Sequence, residues 1–307
     1  MFKKIFIIIS FIYLSIIDIF IYLYNITFLH NLLLIPNIIL SIMSIYFASD
    51  IFLDVASDFG NRISISSRSV GIFIAGFAAI FDEVSMSLMA AIQGYGSISF
   101  GAIQGSNTVT LLAFFIIIPL YFKSGISRFK TDAYLIVGSS LLLYMLSIFY
   151  VKIPFYVGFI TLAIFLVYMY RVKKEEDNVE IVETPNSEYS VIFGLLSLLV
   201  IIIASYNMIN SATIISYVFG INNFLSSYIL LGIFGSIPEI SMMIISAAKN
   251  RKNISIGLIT GSTLYKETFV FSLAAFTLEL NFRGSYFSLV LMIILSIILV
   301  VYTVIYK

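Results

Sequence analysis

The sequence contains no cysteine, a single histidine (His30) and few charges, with Asp, Glu, Lys and Arg making up 11% of its 307 residues. Each shortage excludes a class of chemistry. Without cysteine there are no disulfides and no thiolate metal sites. One histidine rules out histidine clusters. A net charge of +1, with no basic run interleaved with aromatics, offers no handle for nucleic acid. Only carboxylates remain for a catalytic constellation, so no nucleophile–base or metal-ligand set of an intramembrane enzyme is expected, and no cofactor is implied.

What the chain has in abundance is apolar surface: 61% of residues are hydrophobic and the mean hydropathy is +1.08. A soluble chain of this length could not cover so much Ile, Leu and Phe, whereas lipid accepts it. The expected class is an all-α polytopic membrane protein. Its 29 Phe and 20 Tyr are expected to face lipid or to sit at the interfaces.

A hydrocarbon core about 30 Å thick calls for runs of roughly 18–25 apolar residues. Ten such runs are readable, near 5–24, 32–57, 69–93, 99–122, 132–150, 153–170, 190–217, 224–248, 254–277 and 284–305. Basic residues test the count. If Lys3 and Lys4 are cytoplasmic, so are Arg62 and Arg68, then Lys123, Arg128 and Lys130, then Arg171, Lys173 and Lys174, then Lys249, Arg251 and Lys252, and finally Lys307. The opposite loops hold only Lys152 and Arg283. This strong positive-inside bias puts both termini in the cytoplasm. The first run could instead be a signal peptide, but no small-x-small cleavage site follows it, and the bias works best if the helix is retained.

Shifting the chain by 156 residues aligns DEVSMSLMAAIQGYGSISFGAIQGS, from Asp82, with PEISMMIISAAKNRKNISIGLITGS, from Pro238, without a gap. The pairs Glu83/Glu239, Ser85/Ser241, Ser99/Ser255, Gly101/Gly257, Gly105/Gly261 and Ser106/Ser262 carry most weight, because apolar matches mean little in a membrane protein. The two glutamates fall in the third and eighth runs. An odd offset inverts one copy relative to the other, and inverted repeats place a substrate site near mid-membrane, where the copies meet.

An ionised carboxylate there costs at least about 2.5–3.5 kcal/mol, so it needs a partner or a purpose. Around Glu83 and Glu239 lie Gly76, Ala79, Asp82, Gly232, Gly235, Ser236 and Pro238, small or polar residues at which a helix can kink or break and free backbone carbonyls. Carboxylates, hydroxyls and carbonyls make an all-oxygen site suited to a hard cation. One helical turn separates Ser106 from Thr110, and Ser262 from Lys266, so each pair shares a face. The glycines are read equally well as packing residues.

The segments containing these motifs resemble the two α-repeats of the calcium/cation antiporter superfamily, which includes the sodium/calcium exchangers. Those repeats read G-T-S-L-P-E and then G-N-x-x-G-S-N; here Gly235, Ser236, Pro238 and Glu239 carry the closer match. The resemblance extends over most of residues 32–306. It implies the exchanger fold of two inverted repeats, and exchange of a divalent cation, most readily Ca²⁺, for Na⁺ or H⁺. It also implies that Glu83 and Glu239 ligate the transported ion, with Ser106, Ser262 and the residues around Ala79, Gly235 and Ser236 lining flanking monovalent-ion sites. The family's usual ten helices begin outside. This chain is expected to add one helix in front and to stop before the last. The short chain, with no regulatory domain, suits a prokaryotic plasma membrane.

The sequence departs from the pattern at the site. Ala79 and Ile80 replace the hydroxyls of the first copy, Asp82 replaces its proline, and Gly235 replaces a threonine. Lys266 stands where members commonly carry Asn or Asp; its first-copy counterpart is Thr110. At an effective dielectric of 20, a lysine about 4 Å from a carboxylate gains roughly 4 kcal/mol. Three readings stay open for Lys266. It can replace a bound monovalent ion, lose its proton in the cycle, or pair with Glu267 or Asp82 and leave the site alone. Missing hydroxyls argue against a standard sodium exchanger. Altered cargo (Mg²⁺, Mn²⁺ or a monovalent ion) and a non-transporting protein disabled by Lys266 are the alternatives.

The expected organisation is an extra helix at 1–31, a first half at 32–171 with its repeat core at 50–120, a hydrophilic cytoplasmic linker at 172–188, and a second half at 189–307 with its core at 206–276. Asp50, Asp54 and Asp58, at four-residue spacing, read as a solvated helix end. His30 reads as interfacial, and Asp18 suggests a packing or oligomer contact.

Overall fold

The computed structural model describes residues 2–24, 33–62, 80–122, 126, 129–175, 189–248, 252–277 and 279–305. Within them the chain is helical almost throughout. The helices are α1 (Phe2–Tyr24), α2 (Leu34–Arg62), α3 (Phe81–Ile92), α4 (Gly96–Tyr121), α5 (Lys130–Phe149), α6 (Phe155–Glu175), α7 (Val191–Phe219), α8 (Asn223–Gly235), α9 (Ile237–Ala248), α10 (Lys252–Tyr265), α11 (Phe271–Ala275) and α12 (Tyr286–Ile305), with a π-helical turn, Lys266–Val270, between α10 and α11. Seven spans among the described residues are long and apolar enough to cross a membrane. Lipid carries no water to satisfy a bare peptide group, so helices are the form such segments must take.

Their faces confirm the solvent they are built for. On α12, Ile294, Ile297, Ile298 and Val301 point outward while Leu289, Met292, Leu295 and Leu299 are buried. On α1 the outward row is Ile5, Ile8, Ile9, Ile12 and Ile16. Polar groups are gathered inside instead: Ser99, Gln104, Ser106, Asn107 and Thr110 are all buried on α4, the central helix. This inside-out distribution suits a bundle in hydrocarbon, where interhelical hydrogen bonds and close packing hold helices together.

Small residues bring the central helices into contact. A Cβ added to Gly105 of α4 would lie 2.2 Å from the Tyr228 carbonyl, and one on Gly232 of α8 would lie 2.5 Å from the Gly105 Cα. Only glycine at both positions permits this approach. α1 packs on α2 and α7. It is fastened by an ion pair from Lys3 to Asp50 and by Lys4, which lies 5.2 Å from the ring centres of Tyr189 and Phe193. Asp50 therefore has a partner rather than being a purely solvated helix end. The side chains of Asp18, Asp54 and Asp58 lie outside the described residues, as does His30.

The loops carrying Lys152 and Arg283 meet. Ile153 N donates to Leu280 O at 2.8 Å, Phe282 N donates to Val151 O at 2.9 Å, and Lys152 pairs with Glu279 at 3.1 Å. Both loops therefore lie on one side of the bundle, as their shared scarcity of basic residues requires. Most of the hydrophilic linker, residues 176–188, lies outside the described residues, while α6 continues through Glu175.

Candidate functional site

The two sequence copies fold alike where they match. At the 156-residue offset α3 falls on α9 end to end, and α4 begins where α10 begins. Each hairpin is stitched at the same place. In the first copy the Ser87 and Ser99 hydroxyls share a hydrogen bond of 2.8 Å; in the second, Ser255, the counterpart of Ser99, donates to Met243 O at 3.0 Å. Gly94, with φ +83°, makes the turn of the first hairpin. Ser236 separates α8 from α9 and donates to Ile233 O at 2.8 Å. A helix break thus stands three residues before Glu239, as the small residues there predict.

Glu83 and Glu239 each sit in the first turn of a short helix, and both are buried. Negative side chains are favoured at a helix N-terminus. The two converge on one ammonium group. Lys266 Nζ lies 2.7 Å from Glu239 Oε2, 3.8 Å from Glu83 Oε1 and 2.9 Å from Ser106 Oγ. Ser106 in turn donates to Glu83 Oε1 at 3.2 Å, and Thr110 donates to Glu239 Oε2 at 2.9 Å. Ser106 and Thr110 belong to the first copy and Glu239 and Lys266 to the second, so the site is assembled across the repeat.

Lys266 is completely buried, and its contacts answer one of the open questions. Among the described residues its ion pairs are with the two glutamates, not with Glu267 or Asp82. Glu267, one residue on, turns to α5, where it accepts hydrogen bonds from Ser139 and, at 2.9 Å, from Ser140. The π-turn starts at Lys266, whereas the equivalent stretch of α4, from Thr110, is regular α-helix. Insertions of this kind are frequent at functional positions.

The remaining predicted residues divide. Gly235 lies against Glu83: a Cβ there would be 3.8 Å from Glu83 Cγ and 2.9 Å from Met86 Cε. Gly232 serves the α4–α8 contact. Asp82 is buried beside Glu83, and neither of its oxygens has a hydrogen-bond partner among the described residues. Ser262 is not drawn in, for its hydroxyl donates to Ile259 O at 3.2 Å. Gly76 and Ala79 lie outside the described residues.

Sequence reasoning did not single out Gln104 and Asn107, three residues apart on α4, the helix that carries Ser106 and Thr110; both are completely buried and their amide atoms have no hydrogen-bond partner among the described residues. One oxygen of each glutamate, Glu83 Oε2 and Glu239 Oε1, is similarly without a donor. Asn107 closes the motif GAIQGSN, and that position was the available signal. Unpaired polar groups buried at such a density are expensive unless something binds them. The arrangement can hold a cation on oxygen ligands, and an ammonium already stands there.

Comparison with known proteins agrees with this architecture. The sodium/calcium exchanger protein family matches residues 33–173 and 189–307. A presumed antiporter of Alkalimonas amylolytica, CaxA, is 21% identical over 243 residues, 74% of this chain and 76% of that protein. Among solved structures, the H⁺/Ca²⁺ exchanger CAX superposes with a TM-score of 0.70 at 14% identity, covering 99% of this chain and 94% of its own. The sodium–calcium exchanger NCX_Mj, soaked with 100 mM Na⁺ and 10 mM Sr²⁺, gives 0.58 at 17% identity, covering 89% and 90%. With both halves matched by the family and the exchanger fold extending over nearly its whole length, the chain belongs to the sodium/calcium exchanger protein family of integral membrane proteins.

Proposed function

We propose that the protein is a secondary cation antiporter in which Glu83 and Glu239 jointly hold a divalent cation, Ca²⁺ first among candidates, and exchange it for H⁺ or Na⁺ by alternating access between two inverted repeats. The observation that carries this reading is the convergence of the two glutamates, one from each copy, on a single ammonium group. Carboxylates close enough to share one ammonium are close enough to share one metal ion, whose oxygen ligands stand at about 2.3–2.6 Å. One oxygen of each glutamate, Glu83 Oε2 and Glu239 Oε1, has no hydrogen-bond partner among the described residues and is of the type such an ion takes.

Lys266 then acts as a tethered cation that cargo must displace. Of the two counter-ions, H⁺ has more support. Two hydroxyl positions expected for flanking sodium sites are not in service, because Gly235 has no side chain and Ser262 bonds to its own helix. The positive-inside bias supports cytoplasmic termini. A second reading, in which the Glu83–Lys266–Glu239 cluster restricts the site to other cargo (Mg²⁺, Mn²⁺ or a monovalent ion) or closes it altogether, is favoured by the complete burial of the lysine.

The test is Ca²⁺ uptake into proteoliposomes under separate Na⁺ and H⁺ gradients, for wild type, Glu239→Gln and Lys266→Asn. Uptake under one gradient that disappears in Glu239→Gln supports antiport and names the counter-ion. Uptake only in Lys266→Asn would show that the lysine closes the calcium site, and no uptake in any variant would refute calcium exchange.

A further inference from the structure

Cargo cannot bind where Lys266 now sits. A divalent ion on Glu239 Oε2 would stand about 2.3–2.6 Å from an oxygen whose 2.7 Å neighbour is already the ammonium. An ammonium expelled toward lipid with no carboxylate to receive it would be prohibitively costly. The lysine therefore needs a second place inside the protein.

Two other buried carboxylates are present among the described residues, Asp82 and Glu267. Glu267 is the poorer host. Its oxygens are already engaged by Ser139 and Ser140 of α5. Asp82 is 1% exposed, precedes Glu83 in the first turn of α3, and has no hydrogen-bond partner of normal geometry on either oxygen among the described residues. Lys266 Nζ is already 3.8 Å from the carboxylate of Glu83, the residue that follows Asp82 in the first turn of α3, and its long stem is flexible.

Charge supports the same pairing. Where the copies align, Asp82 answers to Pro238 and Lys266 to Thr110. The first copy thus gains an acid, next in the chain to Glu83, and the second a base, paired with both glutamates. Asp82, Glu83 and Glu239 with Lys266 leave two negative charges, which a divalent ion cancels; without Asp82 the loaded site would be positive in mid-membrane.

We propose that Asp82 is the docking point that receives the Lys266 ammonium when a divalent cation takes Glu83 and Glu239, so that the lysine alternates between Glu239 and Asp82 during the cycle. This rests on cation exchange at the two glutamates, and makes Asp82 a positioning residue acting through Lys266 rather than a ligand.

A double-mutant cycle on the full chain in proteoliposomes separates the two roles. The readout is the KM for Ca²⁺ under whichever gradient drives uptake, for wild type, Asp82→Asn, Lys266→Asn and the double variant. Asp82→Asn is expected to raise KM at least tenfold in the wild-type background and less than threefold beside Lys266→Asn. Asp82→Glu should remain within threefold of wild type. Lys266→Gln, which keeps a long stem and donors for Glu239 and Ser106, repeats the cycle should Lys266→Asn not fold. An equal rise in both backgrounds would make Asp82 a direct ligand and overturn the proposal. So would an unchanged KM in Asp82→Asn. Absence of Ca²⁺ uptake in wild type and every variant would overturn the exchange reading and this proposal together, whereas uptake without coupling overturns only this one.

Discussion

Thr110 and Lys266 occupy equivalent positions in the two sequence copies and both reach the same atom, Oε2 of Glu239, at 2.9 and 2.7 Å. A neutral hydroxyl from one copy and a charged ammonium from the other thus converge on one oxygen. Glu83, by contrast, receives Ser106 and only a distant lysine. Sequence symmetry is retained while electrostatic symmetry is broken, and Glu239 is the more tightly held carboxylate.

Thr110 should therefore tune affinity rather than folding. Thr110→Val removes one hydrogen bond to a charged group, about 1.5 kcal/mol, and should raise the KM for cargo roughly tenfold. Thr110→Ser should stay within about twofold, since it keeps the hydroxyl. Uptake kinetics in proteoliposomes distinguish the two, and an unchanged KM in Thr110→Val would remove the residue from the site.

Gly232→Ala should weaken the whole bundle. Its new methyl would meet Gly105 backbone atoms at 2.5 and 2.6 Å, which cannot rotate away, so α4 and α8 must part. Overpacking of this kind costs about 1–3 kcal/mol, visible as a lower melting temperature in detergent. Gly138→Ala, inside α5 where no atom lies within 4 Å, is the control and should be neutral or stabilising by up to about 1 kcal/mol.

Gly235→Ala should be milder. The atom it meets at 2.9 Å is Met86 Cε, the far end of a flexible side chain. Folding should survive with less than about 1.5 kcal/mol lost, measured by the same thermal melt. A loss as large as that of Gly232→Ala would show that Met86 has no freedom to yield.

Glu267 should prove structural. Removing the hydroxyls that hold it, in Ser139→Ala with Ser140→Ala, leaves a buried carboxylate without donors and should cost about 2 kcal/mol or more. Glu267→Gln should lower the melting temperature while the KM for cargo stays within about twofold, since its contacts are with α5 and not with the paired glutamates. A tenfold change in KM with stability intact would instead place Glu267 on the ion path.

Much of this was legible in the sequence, and for physical reasons. Residues 286–305 have to be a membrane helix because a twenty-residue run, apolar except for Ser288, Ser296 and Thr303, can satisfy its backbone in lipid in no other way. The pairing of Glu83 with Glu239 was visible because acidic, hydroxyl and glycine matches are informative against an apolar background. What escaped the sequence lies in the partners. Ser262 matches Ser106 residue for residue, yet one bonds to its own helix and the other to a carboxylate. Glu267 looked like a partner for Lys266, but facing α5 it found Ser139 and Ser140.

Hydropathy and repetition are properties of neighbouring residues along the chain, so composition and spacing alone determined a helical membrane protein with two related copies and a glutamate in each. Which oxygen the lysine takes is a matter of a few ångströms between residues remote in sequence. It depends on the break at Ser236, the π-turn at Lys266 and the glycine contact between α4 and α8 acting together. Only the tertiary structure sets those distances, because electrostatic attraction in a low-dielectric interior falls with the separation of the charges, whatever their separation along the chain.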